Sequence, residues 1–300
     1  MADLPQYDDL PGGASWGLWG EGDVFGCLNL LTADRVLAGR DCIRKGAVFA
    51  LNLDMELPAP TLYGRGEFVH EVLTHGGGSH DDLLSGWNTQ SSSQWDGFRH
   101  IPHPERGFYN AVADEDHGVH FWARRGIAGR AVLIDVARMR AEEGNPLHGD
   151  ATGEITVDDL ERTLAVQGTT VEPGDILLVR TGWLEWYRGL DRGGRDRCAE
   201  RLRAPGLQST EQMARRLWDW HIAAVAADNP ALEAWPPAAP EHFLHFRLLP
   251  LLGLPIGELF DLDALAADCA ADGVYESFFT SAPLNLQAGV ASPPNALAIK

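Results

Sequence analysis

The densest concentration of reactive side chains lies at residues 88–100, NTQSSSQWDGFRH. Three amides, four hydroxyls, a carboxylate, a guanidinium and an imidazole share thirteen positions there. In an extended segment alternate side chains face the same way, so Gln90, Ser92, Gln94 and Asp96 can converge on one pocket. Asp96 and His100 are a carboxylate and an imidazole of the kind that moves protons in catalysis. Gln90 and Gln94 can hold a carbonyl or oxyanion through their amide hydrogens. Trp95 and Phe98 stand in the same segment, and Trp16 lies in a Gly-rich N-terminal stretch. Together they raise the expectation of an aromatic or otherwise flat substrate. Composition alone also allows a plain polar surface loop, because Ser-rich turns are common.

Other clusters read differently. His70, His75 and His80 sit five apart in HEVLTHGGGSH, and the Gly-rich context predicts solvated loop residues rather than a cation site. His117 and His120 are expected in a structural or pocket-wall role, and His221 as a core histidine opening an apolar strand. Three adjacent serines, Ser91 to Ser93, raise nucleophilic catalysis, but no GxSxG elbow occurs. The DRGGRDR run at 191–197 lacks the lysine and hydroxyl of a phosphate-binding loop. Four widely spaced cysteines with no CxxC predict reduced thiols. The net charge of −19 opposes nucleic acid and anionic membrane as partners. The acidic start, MADLPQYDDLPGG, is unlike a signal peptide. No apolar run approaches the length of about 18 residues that a spanning helix needs. A cytoplasmic location is expected.

The spacing from Gln90 to His100 resembles the HxGTHxDxPxH signature of the cyclase family, also called kynurenine formamidase-like, whose members include arylformamidases and isatin hydrolases. Laid on that signature, Gln90 and Gln94 stand where the family has metal-binding histidines, and Ser92 and Ser93 stand for Gly-Thr. Asp96 matches the ligand Asp, Phe98 replaces the Pro, and His100 matches the last His, the family's general acid or base. GIAGRAVLIDV, ITVDDLERTLAVQGTTVEPGDILLVRTGW, AVAADNP and LGLPIGELFDL resemble the family's successive core segments. The likeness runs from about residue 28 to residue 299. NTQSSSQWDG itself resembles a trait of a large subgroup. Glu258 matches a further ligand Glu, with His245 the nearest match to its His partner and His242 a second choice.

The resemblance implies a mixed α/β fold of the swivelling β/β/α type, with a sheet closing partly into a barrel, flanking helices and usually a homodimer. It implies a hydrolase of an amide, formamide or lactone bond in a small substrate, arylformamidase-like, with Asp96, His245 and Glu258 as metal ligands. The cofactor would be manganese or zinc. Glutamine binds a metal only through its carbonyl oxygen, which weakens a zinc site and suits harder ions. A metal-free centre therefore stays open, as do a lyase, dehydratase or cyclase and a non-catalytic small-molecule binding protein.

The elements that must position these residues follow from periodicity and punctuation. With no repeat and no low-complexity break, one domain over residues 1–300 is expected, with 1–30 as an arm. Strands are predicted at 46–53, 131–136, 175–180 and 221–227, with more between 278 and 299. Helices are predicted at 158–167, capped by Thr156, and from a Ser209 cap through Trp220 with Met213, Leu217 and Trp220 on one face. Residues 64–104 read as a long loop or loop-and-strand region. The DNP at 228–230, closing an apolar strand, is placed to deliver side chains to a site.

Overall fold

The computed structural model describes residues 4–300. Residues 4–30 contain turns and short 3-10 segments, and their Tyr7, Leu10, Cys27, Leu28 and Leu30 are buried in the main core. Next come α1 (Ala33–Arg40), β1 (Val48–Ala50), β2 (Val69–Thr74), β3 (His80–Ser85) and β4 (Gln94–Asp96). The middle of the chain forms α2 (Val119–Arg125), β5 (Ile127–Asp135), α3 (Val136–Glu142), β6 (Glu154–Ile155), α4 (Val157–Gln167) and β7 (Ile176–Arg180). After these lie α5 (Trp183–Arg188), α6 (Arg192–Glu200), β8 (Gly206–Leu207), α7 (Glu211–Asp219) and β9 (Ala224–Ala227). The last elements are α8 (His245–Leu248), β10 (Ile256–Glu258), α9 (Asp263–Asp272), β11 (Glu276–Ser281), β12 (Ala291–Ser292) and β13 (Ala296–Ile299).

Nine strands make one mixed sheet, in the order β1, β13, β11, β5, β7, β9, β10, β4, β12, which curls into a half-barrel flanked by helices. The mixed α/β architecture expected from the sequence is the one observed. At its centre β5, β7, β9 and β10 run parallel. Their central members, ILLVR and AVAA, are buried along their whole length. Strands covered on both faces carry such uninterrupted apolar runs. Among the described residues no helix is long and apolar enough to cross a membrane.

Local signals are largely realised, with boundary corrections. Thr156 caps α4, accepting a bond from the Asp159 amide while Asp159 bonds back to the Thr156 amide. The predicted strand at 131–136 is longer at its start and ends at Asp135, whose side chain accepts from the Arg138 amide and so opens α3. The strand at 46–53 shrinks to three residues. For α7 the cap is Thr210, not Ser209, because the Thr210 hydroxyl is the one that reaches the Met213 amide. Its buried face is Met213, Ala214, Leu217 and Trp218, so Trp220 is not on it. His221 does not open a strand; it sits at φ 51° in the turn before β9. Within 64–104 the chain forms the antiparallel hairpin β2–β3, nearly all of it exposed.

Asp228 does not reach a site. Its carboxylate accepts from the Thr181 amide at 2.6 Å, the Thr181 hydroxyl at 2.7 Å and the Gly182 amide at 2.9 Å, tying the ends of β7 and β9 together. Burial pushes its pKa up to about 6, against the Thr181 bonds and the Arg180 charge. A carboxyl raised above its unfolded value of about 3.9 contributes most below that value, and the contribution is lost as pH rises through the folded value. Asparagine stays neutral throughout. Asp228→Asn is therefore expected to cost about 1–3 kcal/mol from mismatched hydrogen bonds. The gap to wild type should narrow between about pH 4 and pH 7 in urea unfolding. A gap that widens with pH would contradict this assignment.

Candidate active site

Strand pairing assembles the floor of the site. β4 lies antiparallel to β10 with Gln94 opposite Glu258 and Asp96 opposite Ile256. Alternation puts Gln94 and Asp96 on one face and Trp95 on the other. The Gln94 amide donates to Glu258 Oε2 at 2.6 Å and more weakly to Asp96 Oδ1 at 3.3 Å. Gln90, in the loop before β4, donates from Nε2 to Asp96 Oδ1 at 2.8 Å and stands 3.1 Å from His100 Nδ1.

His245, the first residue of α8, completes the floor. Its Nε2 lies 3.3 Å from Glu258 Oε1 and 3.6 Å from Asp96 Oδ2. Its Nδ1 donates to Glu233 Oε2 at 2.9 Å, and Glu233 Oε1 accepts the Leu244 amide at 2.7 Å. Glu233 arrives on the turn after β9, which Asn229 closes by donating to the carbonyls of Pro205, Leu232 and Glu233. β8 packs so tightly against this turn that a Cβ on Gly206 would lie 2.3 Å from the Glu233 carbonyl carbon. Only glycine allows that approach.

Asp96, Gln94, Glu233, Glu258 and His245 are buried, whereas the His100 side chain is 22% exposed and Gln90 is part-exposed. The opening is therefore on the Gln90–His100 side. Burial disfavours charge on His245, but Glu233, Asp96 and Glu258 outweigh it and hold its pKa well above the ordinary value. Burial, with the neighbouring Asp96 charge, pushes Glu258 up. Asp96 is lowered despite its burial by His100, His245 and Arg65. Two adjacent carboxyls driven apart in this way divide into one ionised and one proton-holding group. Burial lowers His100, which favours the neutral imidazole.

The donor set fits a divalent cation. Asp96 Oδ2 and Gln94 Oε1 are buried without a hydrogen-bond partner. Asp96, His100 and His245 each bring a ligand atom within 4.8 Å of the others. Ligand atoms at about 2.1 Å from one ion lie about 3.0–3.5 Å apart, matching the His245 to Glu258 separation and nearly that to Asp96. A carboxylate on the second nitrogen, as Glu233 is on His245, is the usual orienting partner of a ligating imidazole.

The structure thus brings together Gln90, Gln94, Asp96, His100, His245 and Glu258, and separates the other candidates from them. Trp95 is wholly buried against Phe260 and Phe279, its indole N–H donating to Ser281 Oγ. Phe98 is buried against Tyr109 and Trp122. Ser92 donates to the Asp54 carbonyl and lines an apolar cavity of about 260 Å³ with Met55, Trp87 and Leu284. Trp16 carries Arg106 over its ring, donates to the Pro250 carbonyl and borders a different cavity with Phe121. His242 is exposed. His70 and His75 pair with Asp82 and Asp81 on the exposed hairpin. His117 and His120 are buried and bond to backbone groups at Tyr109 and Ala288.

Sequence reasoning missed the aromatic wall beside His245. Phe243 stacks on its imidazole at 4.3 Å between centroids, and Trp235 and Tyr63 continue edge to face at 6.1 and 5.3 Å. It also missed Glu233 and Arg65. A Phe two residues before His245 was the one visible hint, because no spacing rule links Glu233 or Tyr63 to the motif.

A half-barrel of mixed strands carrying a buried cluster of carboxylates, amides and imidazole on its β4–β10 edge defines a family. The putative cyclase model matches residues 51–234, more than half of the chain. A crystal structure described as a novel cyclase is 32% identical, with a TM-score of 0.81, covering 96% of this chain and 99% of that one. The chain belongs to the cyclase family. It shares its fold with isatin hydrolase A from Labrenzia aggregata, bound to benzyl benzoate, at 17% identity and a TM-score of 0.59, covering 88% and 97% of the two chains. Isatin hydrolase A from Ralstonia solanacearum is similar at 20% identity and a TM-score of 0.57, over 90% and 98%. No curated protein matches the sequence.

Proposed function

We propose that the protein hydrolyses an amide, formamide or lactone carbonyl in a small aromatic substrate. The observation that carries this reading is one carboxylate, Asp96, shared by Gln90, Gln94 and His245 on a buried floor, with a part-exposed neutral imidazole, His100, at its mouth. The isatin hydrolases that share the fold support a carbonyl substrate. The wall of Phe243, Trp235 and Tyr63 supports a flat one.

Asp96 would accept the proton of the attacking water, and its depressed pKa keeps it ionised to do so. One Gln90 amide hydrogen is committed to Asp96, and the other, beside His100, would turn to an oxygen at the reacting carbon. His100, open to solvent on one side and with Nε2 3.9 Å from Asp96 Oδ1, would pass the proton that Asp96 accepts to the leaving nitrogen or oxygen, so that carboxylate and neutral imidazole are both restored. Asp96, His245 and Glu258 would hold a divalent cation, which when bound polarises a carbonyl and makes water more acidic. Carboxylate and amide oxygens favour manganese over zinc at such a set.

Incubation with aryl formamides, cyclic aryl amides and aryl lactones, followed by mass spectrometry, tests the reading. A cyclic amide or lactone is expected to give one product heavier by one water, about 18 Da, and an aryl formamide to give the aryl amine, lighter by about 28 Da, together with formate. From a cyclic substrate, a product of unchanged or lower mass would overturn hydrolysis in favour of cyclisation or elimination, as would loss of an aryl formamide without release of formate. Elemental analysis of the same preparation is expected to find about one manganese per chain.

A further inference from the structure

The mouth of the site holds a cation that the hydrolytic chemistry does not use. Arg65 donates to the backbone carbonyl of Gln90 and lies 5.0 Å above the ring of Tyr63. Among the described residues its guanidinium forms no ion pair, although the chain carries a net charge of −19. Its charge nonetheless reaches Asp96, His100 and Glu258, favouring carboxylate and neutral imidazole, although burial and Asp96 still hold Glu258 above its ordinary value. Tyr63, beneath it, adopts a left-handed backbone at φ 59°. Such a conformation costs about 1–3 kcal/mol in a non-glycine residue and persists only where its surroundings impose it.

We infer that Arg65 recognises a carboxylate on the substrate, so that the protein acts on an anionic aromatic compound. This rests on the hydrolase reading only for which pocket is meant. A guanidinium carries five N–H donors in a planar fork, and only one nitrogen is engaged by Gln90. The remaining edge matches a carboxylate. The floor of the site gathers the carboxyl groups of Asp96, Glu233 and Glu258 around the one imidazole of His245, so it offers an anion little attraction from the chain's own groups. A cation at the mouth therefore decides both whether an anionic substrate enters and which end faces the aromatic wall. The carboxylate would sit at Arg65, the ring against Tyr63, Trp235 and Phe243, and the scissile carbonyl toward Gln90 and Asp96.

Calorimetric titration with benzoate and with its neutral counterpart benzamide tests this without relying on turnover. Wild type is expected to bind benzoate about 10–100-fold more tightly than benzamide, as a charge-assisted hydrogen bond implies. In Arg65→Ala that preference should vanish with benzamide affinity unchanged, and Arg65→Lys should restore part of it, since an ammonium keeps the charge but not the fork. Absence of benzoate binding or preference in wild type overturns the inference, as does a preference that survives Arg65→Ala. Equal weakening of both ligands overturns it too, because that is the signature of Arg65 merely bracing the Gln90 loop. If the preference holds but no carbonyl substrate is cleaved, hydrolysis fails while the anion site stands. If cleavage occurs without the preference, only the anion site fails.

Discussion

Asp96→Asn is expected to lower kcat about a thousandfold, within the range of about 10²–10⁴ for loss of a positioned acid or base, while the variant stays folded. The effect is large because this carboxylate does several things from one buried position. Oδ1 receives Gln90 and Gln94, while Oδ2 has no hydrogen-bond partner and faces His245 Nε2. Asparagine keeps the shape but cannot accept a proton, and its amide group puts donors where the glutamine amides already donate. It also removes one of three oxygen or nitrogen donors from the cation set, so bound manganese should fall with kcat. Steady-state turnover, metal content and circular dichroism on one preparation check it. Retention of more than a tenth of wild-type kcat would remove Asp96 from the reacting group.

Glu233→Ala is expected to destabilise the fold by about 3–5 kcal/mol, the usual cost of leaving one member of a buried ion pair without its partner. His245 is 2% exposed and Glu233 is fully buried, so water cannot replace the lost carboxylate. The Leu244 amide loses its acceptor at the same time. Glu233→Gln keeps an acceptor for that amide and should fold far better. It removes the charge that orients His245, however, so affinity for a divalent cation should drop about 10–100-fold. Urea unfolding of both variants, with manganese titration of the second, separates the two roles. A cost below about 1 kcal/mol for Glu233→Ala would show that Glu233 does not hold a charged His245.

Both effects depend on a contact between the turn after β9 and the start of α8. Asp228 and Asn229, expected from their place at the end of an apolar strand to reach a site, instead brace the structure: Asp228 ties the ends of β7 and β9, and Asn229 closes the turn that delivers Glu233. Polar residues there do serve the centre, but one step removed. Their bonding capacity is spent on backbone groups that a tight turn would otherwise bury unpaired.

Period-two alternation within QWD places Gln94 and Asp96 together, and the continuous apolar runs of β7 and β9 announce buried parallel strands. The Thr156 cap follows from one hydroxyl and one carboxylate three residues apart. These are local regularities, written in neighbouring residues. The same alternation, carried through to Trp95, would have excluded it from the pocket, because a side chain between two site residues on a strand points the other way. Phe98, Ser92 and Trp16 could not be sorted like this, since they lie outside regular elements and their directions depend on what they pack against.

By itself the sequence determined the fold class, the motif strand and the donor types: two amides, two carboxylates and two imidazoles at positions 90 to 100, 245 and 258. Tertiary structure decided which face of β4 meets β10, that Glu233 holds His245, and that the aromatic wall is Tyr63, Trp235 and Phe243. Arg65 at the mouth was also its decision. The physical reason is separation along the chain: contacts such as Gln94 with Glu258 and Tyr63 with Trp235 join residues far apart in sequence, and no local periodicity specifies which distant loop closes over a strand edge.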